Sequence, residues 1–600
     1  MGVARKVYIA GVGCLLLLRI PGDLLEPKVA ASEGGGLGMR LGSSTLPEHE
    51  PTADHRKFAI LQQEFKSGPE VTAACLTCHT NAASQVMQTS HWTWICPRAK
   101  EELASRQHRV VGKGEHVINN FCIALGSNEP RCTSCHAGYG WKDKTFDFSN
   151  ETLVDCLVCH DTTKTYKKFP TKAGHPVYEP TEWPKGSGKI WQPPDLAYVA
   201  QNVGLPSRHT CGTCHFFGGG GEGVKHGDMD ETLDMPTREV DVHMNAHGAN
   251  FSCTQCHTTV NHRISGRCYT IPLSEEPEFV IRGIEKNLLA CESCHTSKPH
   301  QKAMLNQHTR RVSCQACHVP FIAPKKPTKM WWDWSKAGQK NEQGKPLVKK
   351  TQIYPEGGGP NSVTGGTGVT TLTYHGMKGE FIWALKAAPE YVWFNGNVSY
   401  TFIGDKIDDR TPGSESGARK GRYDKTDLSK PVVPINRLYG SHDDPNARIY
   451  PVKVHRGKQP YDVENKTLAV PKLFPSGPNA QDAYWKSFDW DRAIRAGMAY
   501  VGQPYSGKYD FIQTEMYWPL AHMVAPKEEA LSCASCHTHD GRLADLTGFY
   551  MPGRDRSGGL DLLGWFMVSG ALVGTLVHGS FRLFSLGRRT RDDGPKREES

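Results

Sequence analysis

Apolar residues are scarce in this chain. They make up 38% of its 600 residues, and the mean hydropathy is −0.51. With so little apolar side chain, a conventional oily core looks undersized for a body of this length. Charge of one sign is also scarce: the net charge is +9, and Lys and Arg are not gathered among aromatics. That excludes an obvious nucleic-acid surface. Long apolar runs occur only near the two ends.

What the chain has instead is Cys-x-x-Cys-His, in eight copies: Cys75, Cys78 and His79; Cys132, Cys135 and His136; Cys156, Cys159 and His160; Cys211, Cys214 and His215; Cys253, Cys256 and His257; Cys291, Cys294 and His295; Cys314, Cys317 and His318; Cys533, Cys536 and His537. Composition alone predicts far fewer than one copy. The pattern is that of c-type haem attachment, in which two thiols add to the haem vinyl groups and the adjacent imidazole ligates the iron. Zinc ribbons also use paired Cys-x-x-Cys units, but they need no His after every second Cys. The sequence therefore predicts a multihaem cytochrome c with eight covalently bound haem c groups. Porphyrins would supply the missing apolar bulk.

Haem c is attached outside the cytoplasm, and the ends agree with export. Arg5 and Lys6 precede an apolar run, Val7 to Leu18, too short to span a bilayer, with small residues at Val29-Ala30-Ala31. Residues 1–31 read as a signal peptide, with an uncleaved anchor as the alternative. Near the other end Leu562 to Phe584 matches a bilayer core in length, and Arg588, Arg589 and Arg591 follow it. Residues 558–586 are thus expected to be one transmembrane helix and 587–600 a cytoplasmic tail. The body would lie on the outer, periplasmic face of the cytoplasmic membrane, single-pass anchored. His578 is either an interfacial polar residue or a ligand to a b-haem shared with a membrane partner.

Between the ends, residues 32–74 form a leader, helix-like near Lys57–Lys66. Residues 75–318 hold seven motifs and read as one seven-haem core. Residues 319–530 carry no motif; their aromatic strings and alternating runs such as Val398–Ile403 predict a partly β insertion returning to the core, with a helix over Tyr484–Tyr500. Residues 531–557 carry the eighth motif and a linker. The fold class expected is mainly α and irregular, with haems forming the core.

Six-coordinate irons need second ligands, and 27 histidines are present, eight of them in motifs. Those best placed are His91, His226, His243, His262, His300, His308 and His522, with His116, His209, His247 and His539 as competitors. Of the four cysteines outside motifs, Cys14 reads as apolar filler and Cys96–Cys268 is a possible disulfide in an oxidising compartment. Cys122, in Asn119-Asn120-Phe121-Cys122, stands ten residues before a haem-binding Cys.

Motif number and order, with the segments Val117–Cys122 and Cys156-Leu-Val-Cys-His-Asp161-Thr-Thr-Lys164, resemble the octahaem tetrathionate reductases. These are related in haem arrangement to hydroxylamine oxidoreductase and the multihaem nitrite reductases. The resemblance implies that the haem on His136 carries a lysine amine in place of a distal histidine. It puts that ligand on Lys164, a nearby acid on Asp161, and a pocket amide and thiol on Asn119 and Cys122. Lys167, Lys168 and Lys172 would add positive field for oxyanions. No Cys-x-x-Cys-Lys occurs, which argues against nitrite reductases with a proximal lysine. Two functions follow as expectations: a reductase of a small sulfur or nitrogen oxyanion (tetrathionate, nitrite, hydroxylamine), or a non-catalytic conduit for electrons. Either would draw electrons from a membrane quinol-oxidising or b-type cytochrome partner. Oligomeric state is not legible.

Overall fold

A computed structural model of the chain describes residues 53–95, 112–114, 116–266, 290–359, 367–410, 423–477 and 479–592. The signal-peptide reading, the start of the leader, Cys14, Cys96, Cys268 and the end of the tail lie outside the described residues.

The motif-bearing part is built of short pieces, because the attachment motif wants little more. In one helical turn, residues i, i+3 and i+4 share a face, so both thiols and the imidazole point to one side. Helix α1 (Gly68–Leu76), with Pro69 in its first turn, runs into the first motif. Helix α2 (Arg208–His215) contains the whole fourth motif. It opens on a capping box in which Thr210 N–H donates to Ser207 Oγ and Ser207 N–H donates to Thr210 Oγ1. The other motifs sit in single turns such as Leu157–His160 and Cys314–His318. Buried apolar side chains here form small separate clusters, for example Leu61, Val71, Tyr139, Leu157 and Val199. Where the sequence suggests a helix near Lys57–Lys66, two 3-10 turns occur instead, His55–Lys57 and Ala59–Leu61.

The haem-free stretch departs further from expectation. It holds a nine-stranded sheet, so the chain is more β than mainly α. Its strands are β1 (Thr328–Asp333), β2 (Val348–Ile353), β3 (Val369–His375), β4 (Gly379–Ala384), β5 (Glu390–Phe394), β6 (Val432–Pro434), β7 (Arg448–Asp462), β8 (Thr467–Leu468) and β9 (Tyr509–Pro519). They run in the order β6-β9-β7-β1-β4-β3-β2, with β5 and β8 also pairing β7. The long β7 is the spine: antiparallel to β9 from Val452↔Pro519 to Asp462↔Tyr509, and parallel to β1 at Arg456↔Trp331.

This sheet does have a conventional core. Trp332, Trp334, Phe381, Phe394, Trp490 and Trp518 are buried together with Ile118, Phe121 and Ile123 from the motif-bearing part. Mean hydropathy hides it, because Trp and Tyr rate as polar while burying large areas. The helix expected over Tyr484–Tyr500 is interrupted: Phe488 takes a left-handed φ of 62°, and α3 (Trp490–Tyr500) restarts with Asp489 accepting from Arg492 N.

Near the C-terminus α4 (Gly558–Asp592) is 35 residues long. Its segment Gly558–Ser585 is long and apolar enough to cross a membrane, with none of it buried against the rest of the chain.

Candidate functional site

Seven of the eight motif histidines face a second imidazole across a gap. Ring centroids are 6.2 Å apart for His79 and His55, 6.1 Å for His215 and His91, and 6.4 Å for His160 and His262. They are 5.9 Å apart for His295 and His243, 6.3 Å for His257 and His522, 6.0 Å for His318 and His300, and 6.2 Å for His537 and His308. An iron between two imidazoles sets a separation of about 6 Å, two metal–nitrogen bonds of about 2 Å plus about 1 Å from each nitrogen to its ring centre. The interplanar angles range from 15° to 79°, so ring stacking does not explain the common distance. These residues fit haem c.

Second-nitrogen contacts orient several rings. His160 Nδ1 is 2.8 Å from Gly204 O, His257 Nδ1 is 2.9 Å from Ser265 O, and His537 Nδ1 is 2.9 Å from Pro552 O. Across the gaps, His262 Nδ1 meets Gln85 Oε1 at 2.8 Å and His522 Nδ1 meets Asp228 Oδ2 at 3.2 Å. Such contacts leave Nε2 free for a metal. Burial pushes His91, His257, His262 and His318 below the usual imidazole range, favouring the neutral form that ligates.

The motifs also touch in a defined order. Cysteines of different motifs lie side by side: Cys75 and Cys156, Cys135 and Cys214, Cys211 and Cys253, and Cys291 and Cys314. Cys256 lies in electrostatic reach of Cys294, and Cys317 of Cys536. With Cys159 near Cys211, motifs one, three, four, five, six, seven and eight form a line, and motif two branches from motif four.

Motif two is the odd one. No histidine faces His136 among the described residues. Its ring lies in a box of Trp92, Trp94, Trp141 and Phe146, at centroid distances of 4.9–5.7 Å. Lys168 reaches the motif: its Nζ donates to His136 O at 2.6 Å and Gly138 O at 3.0 Å, and pairs with Asp155 at 3.0 Å. Asp155 also accepts from the Tyr139 and Tyr166 hydroxyls and from Val158 N inside motif three. This buried network ties motifs two and three together.

Of the residues tied to motif two by resemblance, two stand beside it. Cys122 lies near Cys132, with its Sγ 3.8 Å from Gly219 O. Asn119 presents it, its Oδ1 accepting from Cys122 N and Phe121 N at 2.9 and 3.1 Å. The other two do not join them. Lys164 is exposed, in a left-handed turn with φ 61°. Asp161 is buried, but its carboxylate is occupied by Thr163 N, Thr163 Oγ1 and Tyr166 N, a local staple of the same turn. Instead, the glycine-rich chain at 217–225 brings Lys225 to the Cys122 side. The Lys225 stem packs against Gly218, while Gly219 and Gly220 lie against Phe121 and Cys122. Lys225 Nζ stands 4.6 Å from the Trp518 ring centre. Buried Lys453 fixes this chain, donating to Val224 O, Lys225 O and Thr328 Oγ1 at 2.7–3.0 Å.

Among the expected histidines, His226 is misplaced and His55 was missed. His226 packs on Trp518 at 5.6 Å and faces no motif histidine; its main chain is held by Thr328 Oγ1. His55 lies in the stretch set aside as leader. Its signal was faint: Asp54 caps the 3-10 turn that begins at His55. Of the competitors, His209 bonds Asp234 and His247 is exposed, while His116 joins the chain at Ile403 through its carbonyl. His539 borders a surface hollow with Arg554 and Asp555.

Comparison with known proteins agrees with this geometry. Residues 329–540 match the family described as bacterial cytochrome c. The chain is similar to the crystal structure of an octahaem cytochrome c from Shewanella oneidensis, with 39% identity and a TM-score of 0.65 over 84% of this chain and 99% of that one. A protein of Archaeoglobus fulgidus, described as uncharacterized, is 23% identical over 264 residues, covering 36% of this chain and 84% of that protein.

Proposed function

Because the chain belongs to the octahaem cytochromes c, we propose that it is a membrane-anchored oxidoreductase whose motif-two haem reduces a small nitrogen or sulfur oxyanion. One observation carries this reading: seven motif histidines face a second imidazole, and His136 does not. A haem with two imidazoles suits electron transfer, whereas an iron with a displaceable sixth ligand can bind substrate. Bound haem would supply the electrons and the open coordination position. The chain's own residues do the rest. The aromatic box keeps water from the His136 ring, Asn119 presents the Cys122 thiol, and Lys453 holds the segment that bears Lys225.

We assign the amine ligand to Lys225 rather than Lys164, because Lys225 shares its glycine-rich segment with the contacts of Cys122. A lysine ligand must be a neutral amine, which metal coordination enforces, and its flexible stem releases more readily than a clamped imidazole. The other haems, in contact order from motif eight to motif four, would feed electrons to this branch. The electron source is a membrane quinol-oxidising or b-type cytochrome partner on the periplasmic side, reached through α4.

The test is an EPR and visible spectrum of the purified holoprotein and of Lys225→Ala, with reduced viologen as donor and nitrite, hydroxylamine or tetrathionate as acceptor. Lys225→Ala should keep haem content, convert one low-spin haem to high-spin and change turnover at least tenfold. Absence of turnover with all three acceptors in the parent would leave the electron-conduit reading.

A further inference from the structure

Strand β7 turns an unusual row of side chains toward the loop that bears Cys122. On one face, alternate residues are Lys453, His455, Gly457 and Gln459. Lys453 has three acceptors, and Gln459 Nε2 donates to Asn119 O at 2.5 Å. His455 is different. It is fully buried, and neither ring nitrogen has a hydrogen-bond partner. Its ring faces Phe121 at 6.4 Å, and Asn120 Nδ2 donates to its main-chain oxygen. A buried imidazole with both nitrogens unused forfeits hydrogen bonds that water would have given it, which a ligand bound beside it would restore.

A second orphan lies beside it. Lys329, on the neighbouring β1, is 4% exposed and has no hydrogen-bond acceptor among the described residues. Its Nζ instead stands over three aromatic rings, 3.8 Å from Trp332, 3.5 Å from Phe381 and 5.0 Å from Trp383. Lys329 is in electrostatic reach of both Cys122 and His455. Thus one thiol, one imidazole and one amine converge, and the last two lack partners.

We propose that one small oxyanion is held between His455 and Lys329, on the side of the Cys122 loop, and that the anion enters together with a proton taken up by His455. The inference deepens the reading of motif two as the reacting centre and rests on it for the choice of anion.

Charge explains the coupling. Burial pushes His455 well below the usual imidazole range, and the nearby Lys453 and Lys329 push it the same way. Burial likewise pushes Lys329 well below the ordinary lysine range, with Lys378 and Lys453 adding to it. The titratable groups facing His455 are Lys453 on its own strand and Lys329 on β1, and Cys122 in the loop reaches Lys329. Lys378 and His375, beyond Lys329, add no acid. Glu390, Asp424 and Glu515 lie on the other side of β7, gathered on Arg456. Asp228 is in electrostatic reach of Lys453 but is held by His522 and the main chain at 521 and 522, so the imidazole has no counter-ion of its own and stays neutral. An arriving anion reverses the sign of the local field and raises the pKa of His455. Linkage then requires that lower pH tighten anion binding. Tetrathionate cleavage needs two electrons and no proton, but nitrite reduction to ammonium consumes eight protons with six electrons, so a proton arriving with the anion would serve that chemistry directly.

The test uses air-oxidised holoprotein, with no electron donor, and sodium nitrite as the probe. Calorimetry in two buffers of different ionisation enthalpy counts protons, and the Soret band reports the haems. The parent should take up close to one proton per nitrite bound, and its Kd should weaken tenfold or more from pH 6 to pH 8. His455→Gln should abolish both the proton uptake and the pH dependence. Lys329→Met should weaken binding at least fivefold at both pH values while keeping the proton count. Absence of proton uptake in the parent overturns the proposal without recourse to any variant, as does uptake that survives in His455→Gln with a full haem complement. Binding and proton uptake as expected, with no reduction when viologen is added, would keep the anion site and remove the reductase reading.

Discussion

Trp332, Trp334, Phe381 and Trp490 pack against one another in the sheet of residues 328–519, whereas the buried side chains of residues 53–318, apart from a few such as Ile118 and Phe121 that join the sheet's core, fall into small separate groups. The two regions exclude solvent by opposite means. In the sheet, side chains close the core, and β7 pairs with four strands, β1, β5, β8 and β9, in one ladder system. In the motif-bearing part, paired imidazoles stand about 6 Å apart, the spacing of two ligands across one iron. Haem belongs to the fold there in the way that tryptophan does in the sheet.

The largest effect that would sharpen this contrast comes from withholding haem. Expressed without the attachment machinery, residues 53–318 should lose protease resistance entirely, while fragments spanning β1 to β9 persist longest. Limited proteolysis read by mass spectrometry decides it. Equal protection of both regions in the haem-free chain would break the comparison.

Next comes a change confined to the sheet. Trp334 is fully buried, stacks on Trp332 at 4.8 Å and donates from Nε1 to Phe121 O at 2.9 Å. Trp334→Ala should destabilise the holoprotein by about 3–5 kcal/mol through the cavity it leaves, with the haem spectrum intact. Denaturant unfolding followed by tryptophan fluorescence measures it. A similar size is expected for Arg456→Met. Arg456 is bidentate to Glu390 at 2.6 and 2.8 Å and also meets Asp424 at 3.2 Å. Removing it strands buried carboxylates, at about 3–5 kcal/mol. A loss below 1 kcal/mol in both variants would mean that the sheet leans on the haems after all.

A third prediction concerns the motif-bearing part alone and should leave stability nearly untouched. His55→Ala should turn the haem of motif one from a bis-imidazole to a high-spin or water-bound signal in EPR. His226→Ala should not change any haem signal. The reverse result would return His226 to the ligand set and remove His55.

These variants also mark what the sequence could and could not disclose. The motifs were fully legible, because covalent attachment dictates residue type and spacing within five positions. Six partner histidines were legible as well, since each lies on a turn close to some motif. His55 was not, because its partnership with His79 depends on how 3-10 turns fold the chain back onto α1. Lys225 was hidden for a related reason: only the path of the glycine-rich chain across Cys122 brings it to the side of that loop. The sheet's extent escaped because its strands are separated by long loops and its spine, β7, mixes Lys, His, Arg and Gln with Val. Those polar residues break the alternation that normally betrays a strand, and they do so where β7 faces the Cys122 loop on one side and the carboxylates of Arg456 on the other.

The smallest effect is expected at the far end. Helix α4 exposes Leu562, Trp565, Phe566, Leu572 and Phe581 around its circumference, and none of its candidate span is buried against the body. An apolar helix bare on all sides is stable in lipid and a liability in water. Gly553, with φ 83°, turns the chain away from His537, whose carbonyl a Cβ at that position would strike at 2.2 Å. Truncation after Asp555 therefore keeps the Arg554–Asp555 pair and the carbonyl that orients His537, and removes only the helix. The truncated protein should leave the membrane fraction with haem content and EPR spectrum unchanged, and with viologen-linked turnover within twofold of the parent. If it stays with membranes in high salt, the anchor lies at the N-terminus. If it is released but the motif-eight signal changes, α4 supports that haem as well as the membrane attachment.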